Sequence, residues 1–148
     1  MNEALARDLY LKYPKILTRD GTEVYLDVGD GWYDILDSLC GQIQHHIDWK
    51  NGEGKYAKYG RALARGESVP QLVAEQIKEK FSTLRFYAYG GDEKIAGMIE
   101  MAESFTAHVC EVCGSPGKRT KGGWIKTLCK KHAEEQGREF DDGKEEDR

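Results

Sequence analysis

At 148 residues, with 39% hydrophobic and 32% charged side chains, the chain fits one ordinary domain or a core with a small appendage. No apolar run reaches the roughly 18 residues that a membrane-spanning helix needs, so a membrane protein is not expected. Met1–Tyr10 carries Glu3 and Asp8 where a secretory leader would be basic and then apolar, so the expected location is cytoplasmic.

The net charge of −4 is unevenly spread. Residues 1–106 hold 13 basic and 17 acidic side chains, residues 107–137 hold 6 and 3, and residues 138–148 hold 3 and 6. This divides the chain into an acidic α+β body (1–106), a basic module (107–137) and an acidic tail (138–148) that lacks apolar anchors and reads as disordered.

In chain order, Ala4–Leu17 reads as an amphipathic helix with Leu5, Leu9 and Ile16 on one side, bent or ended by Pro14. Thr18-Arg19-Asp20-Gly21 is a turn, and Glu23–Val28 alternates as a short strand with Val24, Leu26 and Val28 on one face. Gly29-Asp30-Gly31 breaks the chain, with Asp30 as the expected cap of a long helix. Trp32, Ile35, Leu36, Leu39, Cys40, Ile43 and Ile47 form its stripe to about Trp49. Asn51–Gly66 is a glycine-rich, basic excursion containing Tyr56 and Tyr59, with a short helix expected over Tyr56–Ala64.

Ser68 and Gln71 have capping-box spacing, and Val69, Val73, Ile77 and Phe81 recur every four residues, which predicts a second buried helix. Ser82–Tyr89 reads as a strand, with Leu84, Phe86 and Ala88 on one face and Thr83, Arg85, Tyr87 and Tyr89 on the other. Gly90-Gly91 ends it. Asp92 then caps a helix whose Ile95, Met98, Ile99, Ala102 and Phe105 should face inward.

The chemistry-bearing pattern is Cys110-x-x-Cys113, fifteen residues, then Cys129-x-x-His132. Soft thiolates with one imidazole select zinc, and four protein ligands leave no open position, so one structural Zn2+ is expected. Gly114 suits a tight knuckle, Ser115–Gly123 a hairpin turn, Gly123–Ile125 a returning strand and Leu128–Glu135 a helix. Knuckle, hairpin and helix together predict an appended C-terminal treble-clef module. A thioredoxin-like use of Cys110 and Cys113 fits less well, because the pair opens a turn and has a second pair downstream. His108, two residues before Cys110, reads as a surface residue or as one that supports the ligands from outside, and not as a substitute ligand.

Elsewhere the plainer readings prevail. Cys40 is a small buried hydrophobe, His45 faces outward and His46 borders the apolar stripe. No catalytic constellation or glycine-rich phosphate loop is present in the sequence, so a non-enzymatic protein is expected. Lys118, Arg119 and Lys121 crowd the hairpin and could meet phosphate or an acidic protein. Trp124 either stacks a base or, more commonly for such a position, packs beneath the hairpin. Arg85 and Tyr87 offer a second partner-binding surface.

Gly31-Trp32-Tyr33-Asp34-Ile35-Leu36-Asp37, the run Gln76–Tyr87 and the block Cys110-Glu111-Val112-Cys113-Gly114 with Cys129 and His132 together resemble a family of small zinc-binding proteins of tailed phages and prophages. The resemblance spans about Gly31–Ala133, and Ser82 departs from it by standing where glycine is expected. It implies a phage accessory protein acting in the host cytoplasm, and brings no catalytic residues. The expected function is a non-enzymatic adaptor or inhibitor of a host macromolecule, such as a component of defence or transcription. The rivals are a nucleic-acid-binding zinc-finger protein and a nucleotide-sequestering protein. An HNH-type nuclease is disfavoured because the hairpin lacks the added histidine.

Overall fold

The computed structural model describes residues 1–59 and 66–141. The fold is α+β, with helices packed on small sheets. The first helix, α1 (Glu3–Lys12), is capped by Asn2, whose side chain accepts from the Leu5 amide at 2.9 Å. Pro14 ends the amphipathic run and starts a separate turn, α2 (Pro14–Leu17), at a first-turn position where its missing N–H is no loss. The expected turn is the loop of a tight hairpin, β1 (Thr18–Arg19) and β2 (Thr22–Glu23). Asp20 and Gly21 both lie at positive φ, as its two-residue connection requires.

Val24, Leu26 and Val28 are buried as their alternation predicts, though the regular strand β3 is only Leu26–Asp27. The long helix α3 (Tyr33–Asn51) buries Leu36, Leu39, Cys40, Ile43, His46 and Ile47, and Gly52 closes it in the left-handed conformation. Asp30 does not cap it. Asp30–Trp32 forms a 3-10 turn, and the Asp30 carboxylate accepts instead from the backbone and side-chain amides of Asn2, at 2.6 and 2.9 Å. The helix expected over Tyr56–Ala64 is a 3-10 stretch over Gly54–Tyr59; residues 60–64 lie outside the described residues, as do tail residues 142–148.

The second helix expected from Ser68 is overturned: Val73–Lys80 is a strand, β4. Intervals of four residues satisfy a period of two as well as 3.6, so Val69, Val73 and Ile77 could not separate strand from helix. A bulge between Ala74 and Gln76 then brings Ala74 and Ile77 to the same buried face. Asn51 fixes the approach to β4, exchanging hydrogen bonds with the Val69 amide and carbonyl at 2.7 and 2.8 Å. Phe81 is not core; it is 66% exposed at φ 52, in a two-residue turn shared with Ser82 at φ 72.

Strand β5 (Thr83–Tyr89) pairs antiparallel with β4, which pairs parallel with β3 through Leu26 opposite Ile77. Leu84 and Phe86 face the core. Helix α4 (Glu93–Phe105) starts at Asp92, which accepts from the Ile95 amide at 3.0 Å and pairs with His46 at 2.7 Å. It also covers the free edge of β5: Glu103 accepts from the Phe86 amide, and Thr106 just beyond the helix accepts from the Leu84 amide. Phe105 does not face inward; it is half-exposed beside Met101. Trp32, Leu36, Ile43, Ile77, Leu84 and Ile95 close one core between helices and sheet. Among the described residues, no helix is long and apolar enough to cross a membrane.

Candidate metal centre

Cys110 and Cys113 flank a tight turn in which the Gly114 amide donates to the Cys110 carbonyl at 2.9 Å and the Cys110 amide donates to the Ser115 carbonyl at 2.7 Å. Gly114 sits at φ 80, a conformation that costs glycine nothing. Lys118–Arg119 (β6) and Thr127–Leu128 (β7) form the hairpin that follows. The returning strand therefore starts later than expected, because Gly122, Gly123 and Trp124 are spent in the connecting loop. A short helix, α5 (Lys130–Glu135), begins immediately after Cys129 and carries His132.

These elements bring Cys110, Cys113, Cys129 and His132 together, with one ligand atom from each all within 4.8 Å of one another. The sulfurs of Cys113 and Cys129 are 3.8 Å apart, Cys110 Sγ is 3.6 Å from His132 Nδ1, and Cys129 Sγ is closer to that nitrogen, at 3.1 Å. A tetrahedral ion with bonds of about 2.3 Å to sulfur and 2.0 Å to nitrogen needs ligand separations of about 3.5–3.8 Å. The first two match, Cys129 and His132 would have to part by a few tenths of an ångström, and the set is close enough to hold an ion of zinc's size and softness. The other ring nitrogen of His132 lies 3.8 Å from the Glu135 carboxylate, beyond hydrogen-bond distance. Hydrogen bonds from the Ser115 hydroxyl and amide pull the Cys113 thiol down to about 6, which favours the thiolate that a metal requires. Burial pushes the Cys110 thiol up. His108 is exposed and stands outside the cluster.

The knuckle is bonded to the body, a contact that sequence reading missed. Gly31 donates to the Glu111 carbonyl at 2.8 Å, Gly29 donates to the Glu111 carboxylate at 2.9 Å, and Trp32 Nε1 donates to the Val109 carbonyl at 2.9 Å. A Cβ on Gly29 or Gly31 would fall within 3.0 Å of the 110–111 backbone, so the two chains meet where only glycine fits. Burial raises the Glu111 carboxyl, while Lys126 and the Gly29 amide act against that rise. The hairpin is held as well: Thr127 donates to the Ser82 carbonyl at 2.7 Å, and Lys126 pairs with Glu79. The available signal was the pair of glycines around Asp30, which looked like a helix start.

Lys118, Arg119 and Lys121 are all exposed. Arg119 is paired with Asp141 at 2.8 Å, whereas Lys118 and Lys121 make no ion pair with the described residues. Trp124 does not pack beneath the hairpin; it is 71% exposed, and its carbonyl accepts from Arg138. On the other surface, Tyr87 and Tyr89 are half-exposed. Arg85 stands opposite Lys78 and is partly buried, with its buried Nε lacking a hydrogen-bond partner among the described residues. Cys40 is fully buried, and burial pushes its thiol up to about 12, so it behaves as an inert apolar residue. Compared against known protein families, curated proteins and solved structures, the chain matches none.

Proposed function

We propose that the protein is a non-enzymatic binding protein, an adaptor or inhibitor of an acidic macromolecule, whose basic module is organised by one structural zinc in a treble-clef arrangement. The observation that carries this reading is the complete donor set. Four candidate ligand atoms lie within 4.8 Å of one another, and an ion held by all four would leave no tetrahedral position for substrate or water. The metal then serves to stiffen the element that presents Lys118, Lys121 and Trp124, and a loop ordered beforehand loses less entropy on contact. The resemblance to tailed-phage and prophage proteins adds the setting: a host component, in defence or transcription, as the target. Zinc analysis of fresh protein together with titration against heparin as a generic polyanion tests the reading. One zinc per chain and salt-sensitive heparin binding are expected; absence of either overturns it.

A second reading, sequestration of a small nucleotide on the Lys78, Arg85 and Tyr87 face, is favoured by the half-exposed Tyr87 ring with the Lys78 ammonium 6.0 Å from its centre. Thermal stabilisation by nucleoside phosphates, lost in Arg85→Gln, would support it; no shift with any nucleotide would remove it.

A further inference from the structure

The loop that carries Trp124 and the turn that carries Phe81 face one another across a groove of about 370 Å³, lined by Glu79, Lys80, Phe81, Gly123, Trp124 and Ile125. Both rings are exposed, Phe81 by 66% and Trp124 by 71%. Neither position is an accident of a floppy loop. Ser82, beside Phe81, is buried, and Thr127 of the metal hairpin bonds its carbonyl at 2.7 Å. The same hairpin places Trp124.

Phe81 itself is costly. It is a bulky residue at φ 52 in a turn that suits Asn-Gly, and it points into solvent instead of the core. Lys126 lies between the Glu79 and Glu111 carboxylates, Lys80 is an exposed cation lining the groove, Lys118 and Lys121 are exposed on the adjoining hairpin, and Arg138 reaches the Trp124 carbonyl. Exposed rings on a surface whose Lys80, Lys118 and Lys121 make no ion pair among the described residues suit a flexible polyanion with flat, stackable units. Duplex nucleic acid hides its base faces, and an acidic peptide offers charge without them.

We infer that the groove between Phe81 and Trp124 binds single-stranded nucleic acid, with a base stacked on Trp124, a neighbouring base on Phe81, and the backbone phosphates on Lys80, Lys118 and Lys121. This deepens the proposed function by naming the acidic partner, and it rests on that reading. Recognition of this kind is tolerant of sequence, because every base has a π-face.

The experiment uses the zinc-loaded full chain, a fluorescent twelve-nucleotide oligothymidylate, the same length as a duplex, and an oligoglutamate of equal charge. Anisotropy should show binding of the single strand at low salt, with quenching of tryptophan fluorescence. Of the three tryptophans, Trp32 is fully buried, Trp49 is 41% exposed and Trp124 71%, so the part of the quench that Trp124→Phe abolishes reports on the groove. Trp124→Ala and Phe81→Ala should each weaken binding by roughly 5- to 100-fold, and Trp124→Phe by less, since it keeps a ring. Phe81→Gly, which removes the ring and relaxes the turn, separates loss of stacking from misfolding: it should be at least as stable as the parent and still bind weakly. Duplex or oligoglutamate binding as tight as the single strand overturns the inference, as does binding indifferent to both ring deletions. In either case heparin binding and zinc content would still support a charge-driven adaptor, so the two failures are distinguishable.

Discussion

The Gly31 amide donates to the Glu111 carbonyl at 2.8 Å, joining the turn before the long helix to the knuckle between Cys110 and Cys113. Backbone meets backbone there, and an added Cβ would collide with Cys110 and Gly114 main-chain atoms that cannot swing aside. Gly31→Ala should therefore cost about 3 kcal/mol, the upper end for overpacking, and should weaken metal retention as well. Thermal denaturation and competition with a chromogenic zinc chelator measure the two effects. A stable variant with unchanged zinc affinity would show that the knuckle does not need this contact.

Metal removal should act unevenly. The buried residues beside the four candidate ligands form a small cluster, Cys110, Leu128 and Ala133, whereas the main core spans α1, α3, α4 and the β3–β5 sheet. Cys129→Ser, or chelation, should release one zinc and disorder the hairpin, because metal binding supplies much of such a module's folding energy. Far-UV circular dichroism should keep most of its helical signal, while amide exchange at Glu111 and Thr120 should accelerate. Freshly purified protein without stoichiometric zinc would end the idea.

Ile43 is fully buried in α3, and Leu39, 5% exposed, lines the groove between α3 and α4. Ile43→Ala should cost about 2–5 kcal/mol. Leu39→Ala should fall at the low end of that range, because water can enter the space it leaves. Chemical denaturation gives both values, and equal losses would argue against the difference in packing.

The parts that were legible in the sequence are those where one physical pattern had one solution. Two ligand pairs bind one ion only if they converge, so Cys110, Cys113, Cys129 and His132 could be grouped before any fold was known. The stripe of α3 and the alternation of β5 each fit a single period. Strand β4 failed because Val69, Val73 and Ile77 fit two periods, and the bulge near Glu75 erased the alternation that would have decided between them. The contact of Gly29 and Gly31 with Glu111 joins segments about eighty residues apart, and nothing local announces it. Trp124 was misplaced for a related reason: burial of a loop tryptophan depends on which surface the loop meets.

Asp92 links pH to the packing of α4 on α3. Its burial would raise the carboxyl, but the hydrogen bonds from His46 and the Ile95 amide outweigh that and hold it below the usual carboxylate range. A carboxylate lowered in the folded state stabilises the protein above its unfolded value of about 3.9, and loses that contribution as pH falls through the folded value. Asn caps a helix about as well as Asp, so Asp92→Asn should cost the charge contribution alone, about 1 kcal/mol at neutral pH, and the gap from the parent should close as the medium becomes more acidic than about pH 4. Urea denaturation of both proteins across pH tests this, and a gap that persists into strong acid would refute it.

Charge on the hairpin should appear in salt dependence more than in stability. Lys118 and Lys121 are exposed and make no ion pair with the described residues, while Arg119 is already held by Asp141 at 2.8 Å. A cation engaged by a carboxylate must give up that partner before it can neutralise a phosphate, so it contributes less to association. For a single-stranded polyanion, each phosphate contact steepens the logarithmic salt dependence by about 0.7. Lys118→Gln with Lys121→Gln should flatten the slope by about 1.4, and Arg119→Gln should change it less. Zinc content and melting temperature should stay as in the parent, since none of the three side chains supports the donor cluster. If the double variant keeps the parental slope, the hairpin lysines are a solubilising surface, and the search for the acidic partner moves to the Arg85, Tyr87 and Tyr89 face.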